Sequence, residues 1–309
     1  MIWLRELLAR TDVTDICVNG TGPAYFDCGN GMEAVGVATG IPPQMLEDEL
    51  RNWVLDQLSQ SGKTWDARHP FIDATLPSGH RMHVAFPPLA RNGILISLRR
   101  LPDRSSCQGA ARWGDSPFYK HLAQAVARGD SLILSGSTGS GKTTLATDLL
   151  GEVPESERII ALEDTPELSP RHPHFLSLIS RPPNADGCGE VTLRTLLRQT
   201  LRMRPDRIIL GECRGAEVLE LLQALNTGHR GALATLHANS PREALKRIEL
   251  LCLLASGGAI PLQAIRELLA LGIQWIAQVR RQGPARKITE VWGIEGREGD
   301  IILMRPMVN

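Results

Sequence analysis

The chain has 309 residues, enough for two domains with a core each. Its 34 basic and 34 acidic residues cancel, which excludes a global positive charge that would draw it onto nucleic acid. The six cysteines (17, 28, 107, 188, 213 and 252) are scattered without a C-x-x-C pair, against a zinc site or disulfide framework and in keeping with a reducing compartment.

From the N-terminus, MIWLRELLAR is charged by residue 5 and reads as a short amphipathic helix, not a signal peptide. TDICVNG and AYFDC read as two short strands joined by a Gly-Pro turn, with EAVGV a candidate third. QMLEDELRNWVLDQLSQSG puts Met45, Leu46, Leu50, Trp53, Val54 and Leu58 on one helical face, ended by Gly62. FIDATL and RMHVAF flank the turn Pro77-Ser78-Gly79, and ILISLRR supplies another strand. Together these predict a small α+β domain over residues 1–101. The polar stretch 102–115, PDRSSCQGAARWGD, is the expected linker.

Beyond it, helix and strand alternate over residues 116–309. Ser116-Pro117 starts a helix, SLILS is a strand, and RIIALED, RIILGE and GALATLH are further strands. TLRTLLRQTLRM and AEVLELLQALN are the helices between them, and Ser240-Pro241-Arg242-Glu243 is a capping box. Such alternation predicts an α/β fold with a largely parallel sheet covered by helices. The longest uncharged stretch, Leu250 to Ile265, is too short and too broken by Ser256, Gly257, Gly258, Pro261 and Gln263 to span a bilayer, so a soluble protein is expected.

Between SLILS and LATDLL lies GSTGSGKTT, residues 136–144, which fits G-x-x-x-x-G-K-[ST]. Gly136, Gly139 and Gly141 let the backbone turn so that successive N–H groups face inward, with Ser137, Thr138, Ser140 and Thr144 completing the cradle. The next helix offers its positive end to an anion. Lys142 can reach the β- and γ-phosphates, and the Thr143 hydroxyl can ligate Mg²⁺. A flexible Gly/Ser loop is the bland alternative, and the strand-before, helix-after context weighs against it. ATP with Mg²⁺ is the expected ligand.

In such a sheet, ligands bind beyond the carboxyl ends of the strands. RIIALED ends in Glu163 and Asp164 with Glu167 close behind, RIILGE ends in Glu212, and GALATLH ends in His237. An acid so placed can hold Mg²⁺ or polarise the attacking water.

LEDTPEL, LRMRPDRIILGECRGAEVLELLQALNTGHRGALATLHANSPREAL and the phosphate loop resemble the traffic ATPases of bacterial type II and type IV secretion and of type IV pili. PFIDATLPSGHRMHVAFPPLA followed by ISLRR resembles the N-terminal domain of the Tad pilus and type IV secretion branches. The resemblance implies a RecA-like P-loop ATPase domain with a smaller N-terminal α+β domain. It makes Glu163 the Asp-box glutamate, Glu212 the Walker B glutamate, and His229 and His237 the His-box pair, with His237 the sensor of the γ-phosphate. Which glutamate activates water stays open in the sequence; Glu163 on the water and Glu212 with Thr143 on the metal is the assignment taken forward. His229 follows Gly228 at a helix end and reads equally well as a carbonyl cap. Arg81 and Arg99 stand at positions resembling arginines that contact nucleotide in that family. Cys213 and Arg230 depart from its usual pattern.

The resemblance further implies a homo-hexameric ring, cytoplasmic and peripheral at the bacterial inner membrane. There it would drive pilus assembly or secretion through an inner-membrane platform protein, without direct contact to nucleic acid. Tad-like assembly is placed ahead of type IV secretion, and both ahead of pilus retraction. A RecA-like nucleic-acid translocase is the main competitor, and a nucleotide-binding regulator without turnover the third. Arg194, Arg198 and Arg202, at i, i+4 and i+8, leave three options open: a solvated face, a subunit interface or a nucleic-acid track.

Overall fold

The computed structural model describes residues 1–29, 31–35, 42–67, 70–101, 110–114, 116–183, 187–283 and 285–308. The fold is α/β, and the chain divides near residue 102 into two compact units.

In the first unit, α1 (Ile2–Ala9) is followed by β1 (Asp15–Asn19), β2 (Ala24–Asp27), β3 (Met32–Val35), α2 (Pro43–Gln60), β4 (Phe71–Thr75), β5 (His80–Ala85) and β6 (Leu95–Arg100). The strands form one antiparallel sheet in the order β3-β2-β1-β6-β5-β4. Strand alternation sends Met82, Val84, Ile96 and Leu98 into the core, where Leu46, Leu50, Trp53, Val54 and Leu58 of α2 also lie. Met45, expected on that stripe, is 57% exposed, since one residue of helix turns it by about 100° from Leu46. The same alternation turns Arg81 and Arg99 outward, directly opposite each other on β5 and β6.

Residues 102–109 and 115 of the expected linker lie outside the described residues, as do the last two residues of EAVGV. Within the linker, Ala110–Trp113 (α3) is helical, and the buried Trp113 donates its Nε1 to Asp148 Oδ2 at 2.9 Å.

The second unit continues with α4 (Pro117–Arg128), β7 (Leu132–Ser135), α5 (Lys142–Leu150), β8 (Ile159–Glu163), β9 (Phe175–Ile179), α6 (Leu193–Thr200) and β10 (Arg207–Leu210). After these come α7 (Glu217–Asn226), β11 (Leu233–Leu236), α8 (Pro241–Ala255), α9 (Leu262–Gly272), β12 (Trp275–Gln282), β13 (Ala285–Glu298) and β14 (Ile301–Pro306). The sheet order is β14-β13-β12-β7-β11-β10-β8-β9, parallel from β12 through β9 and antiparallel at β13 and β14. Every residue of β7, β8, β10 and β11 is buried, as expected of parallel strands covered on both faces. One face packs against α6 to α9 and the other against α4 and α5. Ser116 caps α4 by accepting from Tyr119 N at 3.5 Å. At α8 the serine half of the capping box is formed, with Ser240 Oγ accepting from Glu243 N at 3.2 Å, while Glu243 Oε2 accepts from Asn239 N, one residue before the cap, at 3.1 Å. α6 stops at Thr200, earlier than its pattern predicts. Arg204, ahead of Pro205, takes a left-handed φ of 54, so the helix cannot continue through it.

Candidate nucleotide site

The parallel strands end together. Leu236 is level with Ser135, and Leu210 with both Leu162 and Ala234. One edge of the sheet therefore presents the phosphate loop, Glu163, Glu212 and His237 side by side. The loop turns through left-handed Gly139 and Gly141, at φ 71 and 101, into the N-terminus of α5.

Lys142 is 7% exposed, and its Nζ donates to the carbonyls of Gly136 and Ser137, both at 2.9 Å. Burial pushes its ammonium down to about 8, against the opposing pull of Glu212 and Glu167. Its Nζ also lies 3.3 Å from His237 Nδ1, while His237 Nε2 lies 2.8 Å from Glu212 Oε1. Burial first, and the Lys142 charge next, hold the imidazole below the ordinary histidine value. An ammonium at Nδ1 and a carboxylate at Nε2 favour the neutral tautomer protonated on Nε2. Glu212 Oε2 in turn lies 2.5 Å from Arg214 Nη2. Lys142, His237, Glu212 and Arg214 thus form one continuous polar chain.

The two acids after β8 have parted company. Glu163 is 2% exposed, and its Oε1 accepts from the backbone N–H groups of Glu167 and Leu168, both at 2.8 Å. Its Oε2 accepts from Ser177 Oγ at 2.7 Å. Burial raises this carboxyl while those hydrogen bonds hold it down. A carboxylate so engaged braces the turn 164–168. That turn delivers Glu167, whose Oε2 accepts from the Thr143 hydroxyl at 3.2 Å. The Gly before Glu212 has a local cause too: a Cβ on Gly211 would come within 2.9 Å of Glu163 Cγ.

His229 does not join this cluster. α7 runs back across the sheet, so Gly231 N meets Ser131 Oγ at 3.2 Å, at the edge where β7 and β11 begin. Extended chain from there to His237 spans about 20 Å. His229 N donates to Ala224 O at 3.2 Å after left-handed Gly228, a backbone contact open to any residue, while its buried Nδ1 meets no partner among the described residues, so the imidazole is not seen capping a carbonyl. Arg194 Nε and Arg198 Nη2 both bond Glu220 Oε1, at 2.8 and 2.6 Å, so two arginines of the stripe are tied to α7. Sequence reasoning passed over Arg214 altogether; its signal was a cation two residues beyond a strand-end acid. Glu167 was noted without a role.

A parallel sheet with a phosphate loop at its carboxyl edge, and acids and a histidine on the neighbouring strand ends, defines a RecA-like P-loop domain of nucleotide-binding ATPase type. The chain belongs to the family described as Type II/IV secretion system protein, which matches residues 46–278. It is 37% identical over 308 residues to a Mycobacterium tuberculosis H37Rv protein named for conjugal transfer, covering 96% of this chain and 85% of that protein. It is 31% identical over 325 residues to the type IV secretion system protein PtlH of Bordetella pertussis, covering 95% and 94%. Among solved structures, the VirB11 ATPase of the Brucella suis type IV secretion system, in complex with sulphate, is 28% identical with a TM-score of 0.50, covering 94% and 92%. The pilus retraction motor PilT with bound ADP shares the fold at 20% identity and a TM-score of 0.66, covering 99% and 82%. Among the described residues, no helix is long and apolar enough to cross a membrane.

Proposed function

We propose that this chain hydrolyses Mg²⁺-ATP and works as a ring-forming motor of a secretion, conjugation or pilus-assembly machine. The carrying observation is the polar chain Lys142–His237–Glu212–Arg214 beside the Thr143–Glu167 contact, all at one sheet edge. The loop residues Gly136 to Thr144 cradle the phosphates, and Lys142 exchanges its loop carbonyls for the β- and γ-phosphates. Glu212, held by His237, orients the attacking water and takes its proton, while His237 reads the γ-phosphate through Lys142. Thr143 and Glu167 stand on the metal side, an oxygen donor set that suits Mg²⁺, which keeps several waters and needs few protein ligands. When bound, Mg²⁺ would neutralise charge on the β- and γ-phosphate oxygens. Arg81 and Arg99 of the first unit would add positive charge, from the same chain or a neighbour.

Six 33.8 kDa chains would give a ring of roughly 200 kDa with head-to-tail interfaces, cytoplasmic and peripheral to the inner membrane on a platform protein. A nucleic-acid translocase is the second reading. The pairing of Arg194 and Arg198 with Glu220 weakens it, since a strand-tracking groove needs unneutralised cations. Steady-state hydrolysis with and without single-stranded DNA separates the two. ATP turnover that is absent without DNA and switched on by it would overturn the motor proposal.

A further inference from the structure

The carboxy-terminal hairpin of β12 and β13 does not end with the sheet. Gln278 is level with Ser135, the last residue of β7, and Val279 to Gln282 run on beside the phosphate loop. The register shifts between Gln278 and Val279, a bulge placed where β7 gives way to Gly136. Bulges re-aim a strand, and this one is pinned. Thr289 Oγ1 donates to Gln278 O at 3.3 Å, Gln278 Nε2 donates to Ala238 O at 3.2 Å, and Ser135 Oγ bonds Gln278 Oε1. The hairpin tip is thereby set against the loop. A Cβ on Gly141 would come within 2.5 Å of Arg286 Cδ and 3.3 Å of its Cβ, so the Arg286 stem crosses directly over Gly141.

The tip is also cationic. Arg281 stands directly opposite Arg286, and Arg280 opposite Lys287. Arg280 Nη2 pairs with Glu290 Oε1 at 3.4 Å, and Arg281 Nε donates to Gly283 O at 3.0 Å. Alternation puts Arg281 on the same face as Arg286, which is the face turned to the phosphate loop. A cationic surface beside the phosphate loop favours an anion there.

We propose that Arg286, seconded by Arg281, binds the phosphate chain of the nucleotide, making the hairpin a cationic flap over the loop. The assignment rests on the nucleotide site proposed above. Guanidinium suits the task because its planar fork stays charged and can bond phosphate oxygens in pairs. Affinity for a phosphate chain would then depend on residues about 140 positions beyond the loop motif.

Thermal unfolding of the full chain with ADP, pyrophosphate or adenosine tests this, on the parent, Arg286→Ala, Arg286→Lys and Lys142→Ala. Arg286→Ala should keep a cooperative unfolding transition without ligand, the baseline for its own shifts. Its midpoint shift with ADP and with pyrophosphate should shrink, corresponding to about ten- to a hundred-fold weaker binding. Arg286→Lys should recover part of the shift. A full ADP shift in Arg286→Ala, with none in Lys142→Ala, would overturn the flap and leave the nucleotide site standing. No ADP shift in the parent would overturn both. A shift lost for adenosine but kept for pyrophosphate would place Arg286 on the base and overturn the phosphate assignment.

Discussion

His237 Nε2 lies 2.8 Å from Glu212 Oε1, and that contact leaves the other ring nitrogen 3.3 Å from the Lys142 ammonium. Glu212 is therefore linked to the Lys142 ammonium through one imidazole. Glu212→Gln removes the proton acceptor while preserving shape. ATP binding should persist and the single-turnover hydrolysis rate should fall by about 10²- to 10⁴-fold. Parental hydrolysis in that variant would remove Glu212 from the water.

The depressed lysine gives a pH dependence with a definite sign. Free Lys142 loses its proton near 8, whereas bound phosphates favour the charged form. ADP binding should take up a proton above pH 8, and its association constant should fall by up to about tenfold per pH unit. Isothermal titration calorimetry from pH 7 to 10 measures it. Stability of the nucleotide-free fold runs the other way: unfolded lysine keeps its proton to 10.5, so this residue's cost, on the order of 3 kcal/mol, is relieved between pH 8 and 10.5. Lys142→Ala should bind ADP no better than background at any pH.

Glu163 and Glu167 should separate cleanly. In Glu163→Gln the amide oxygen can still accept from the N–H groups of Glu167 and Leu168, and the amide NH₂ can meet Ser177. Hydrolysis should survive. Glu163→Ala should lose about 1–3 kcal/mol in urea unfolding, because the buried N–H of Leu168 and the part-buried N–H of Glu167 are orphaned. Glu167→Gln should fold normally and raise the Mg²⁺ concentration needed for half-maximal turnover. A folded but inactive Glu163→Gln would return the water to Glu163.

This pair also marks where the sequence stopped being readable. The phosphate loop and strand ends were legible, because fully buried parallel strands are apolar runs and the first polar residue after each run is at the sheet edge. Two acids four residues apart on one turn look alike until the turn is folded, and only then does one become the brace. His229 was decidable in principle: a helix between parallel strands must return to the far edge, which puts residues before β11 away from the site. Residues 275–306 carried little signal. β13 is half-exposed along most of its length, so its polar and apolar residues do not alternate and neither period stands out.

The far edge of the sheet has its own constraint. Arg207 is 4% exposed and bonds Glu157 Oε2 at 2.5 Å. Gly231, at φ 75, leaves it room: a Cβ there would come within 2.1 Å of Arg207 Nη1. Gly231→Ala must adopt a left-handed backbone and displace a buried cation. A loss of about 2–4 kcal/mol is expected in chemical unfolding, without loss of ADP binding in the fraction that stays folded. A variant within 0.5 kcal/mol of the parent, about the scatter of surface changes, would mean that Arg207 relocates freely.

Arg81 and Arg99 are a second cross-strand pair of cations. They are directly opposed on β5 and β6, and each reaches an acid only at 3.8 Å, Asp73 and Asp15 respectively. Exposed pairs at that distance contribute little, about 0–1 kcal/mol, so neither arginine is held by its neighbour. Opposed cations on an open sheet face favour an anion, and a phosphoryl group in transfer is one. The polar chain at the phosphate loop already contains Arg214 in cis, but Glu212 engages it. If Arg214 sufficed, Arg81→Ala and Arg99→Ala would hydrolyse ATP at the parental rate and Arg214→Ala alone would fail. The expected outcome is that both first-unit variants keep their fold and Mg²⁺-ATP affinity but lose hydrolysis by about 10³-fold or more, as when an arginine is withdrawn from other phosphate-loop enzymes. Single-turnover hydrolysis beside an equilibrium binding titration separates the cases. Mixing Arg81→Ala with Lys142→Ala chains then assigns the source: recovered turnover means the arginine acts on a neighbouring copy, and none means it acts on its own.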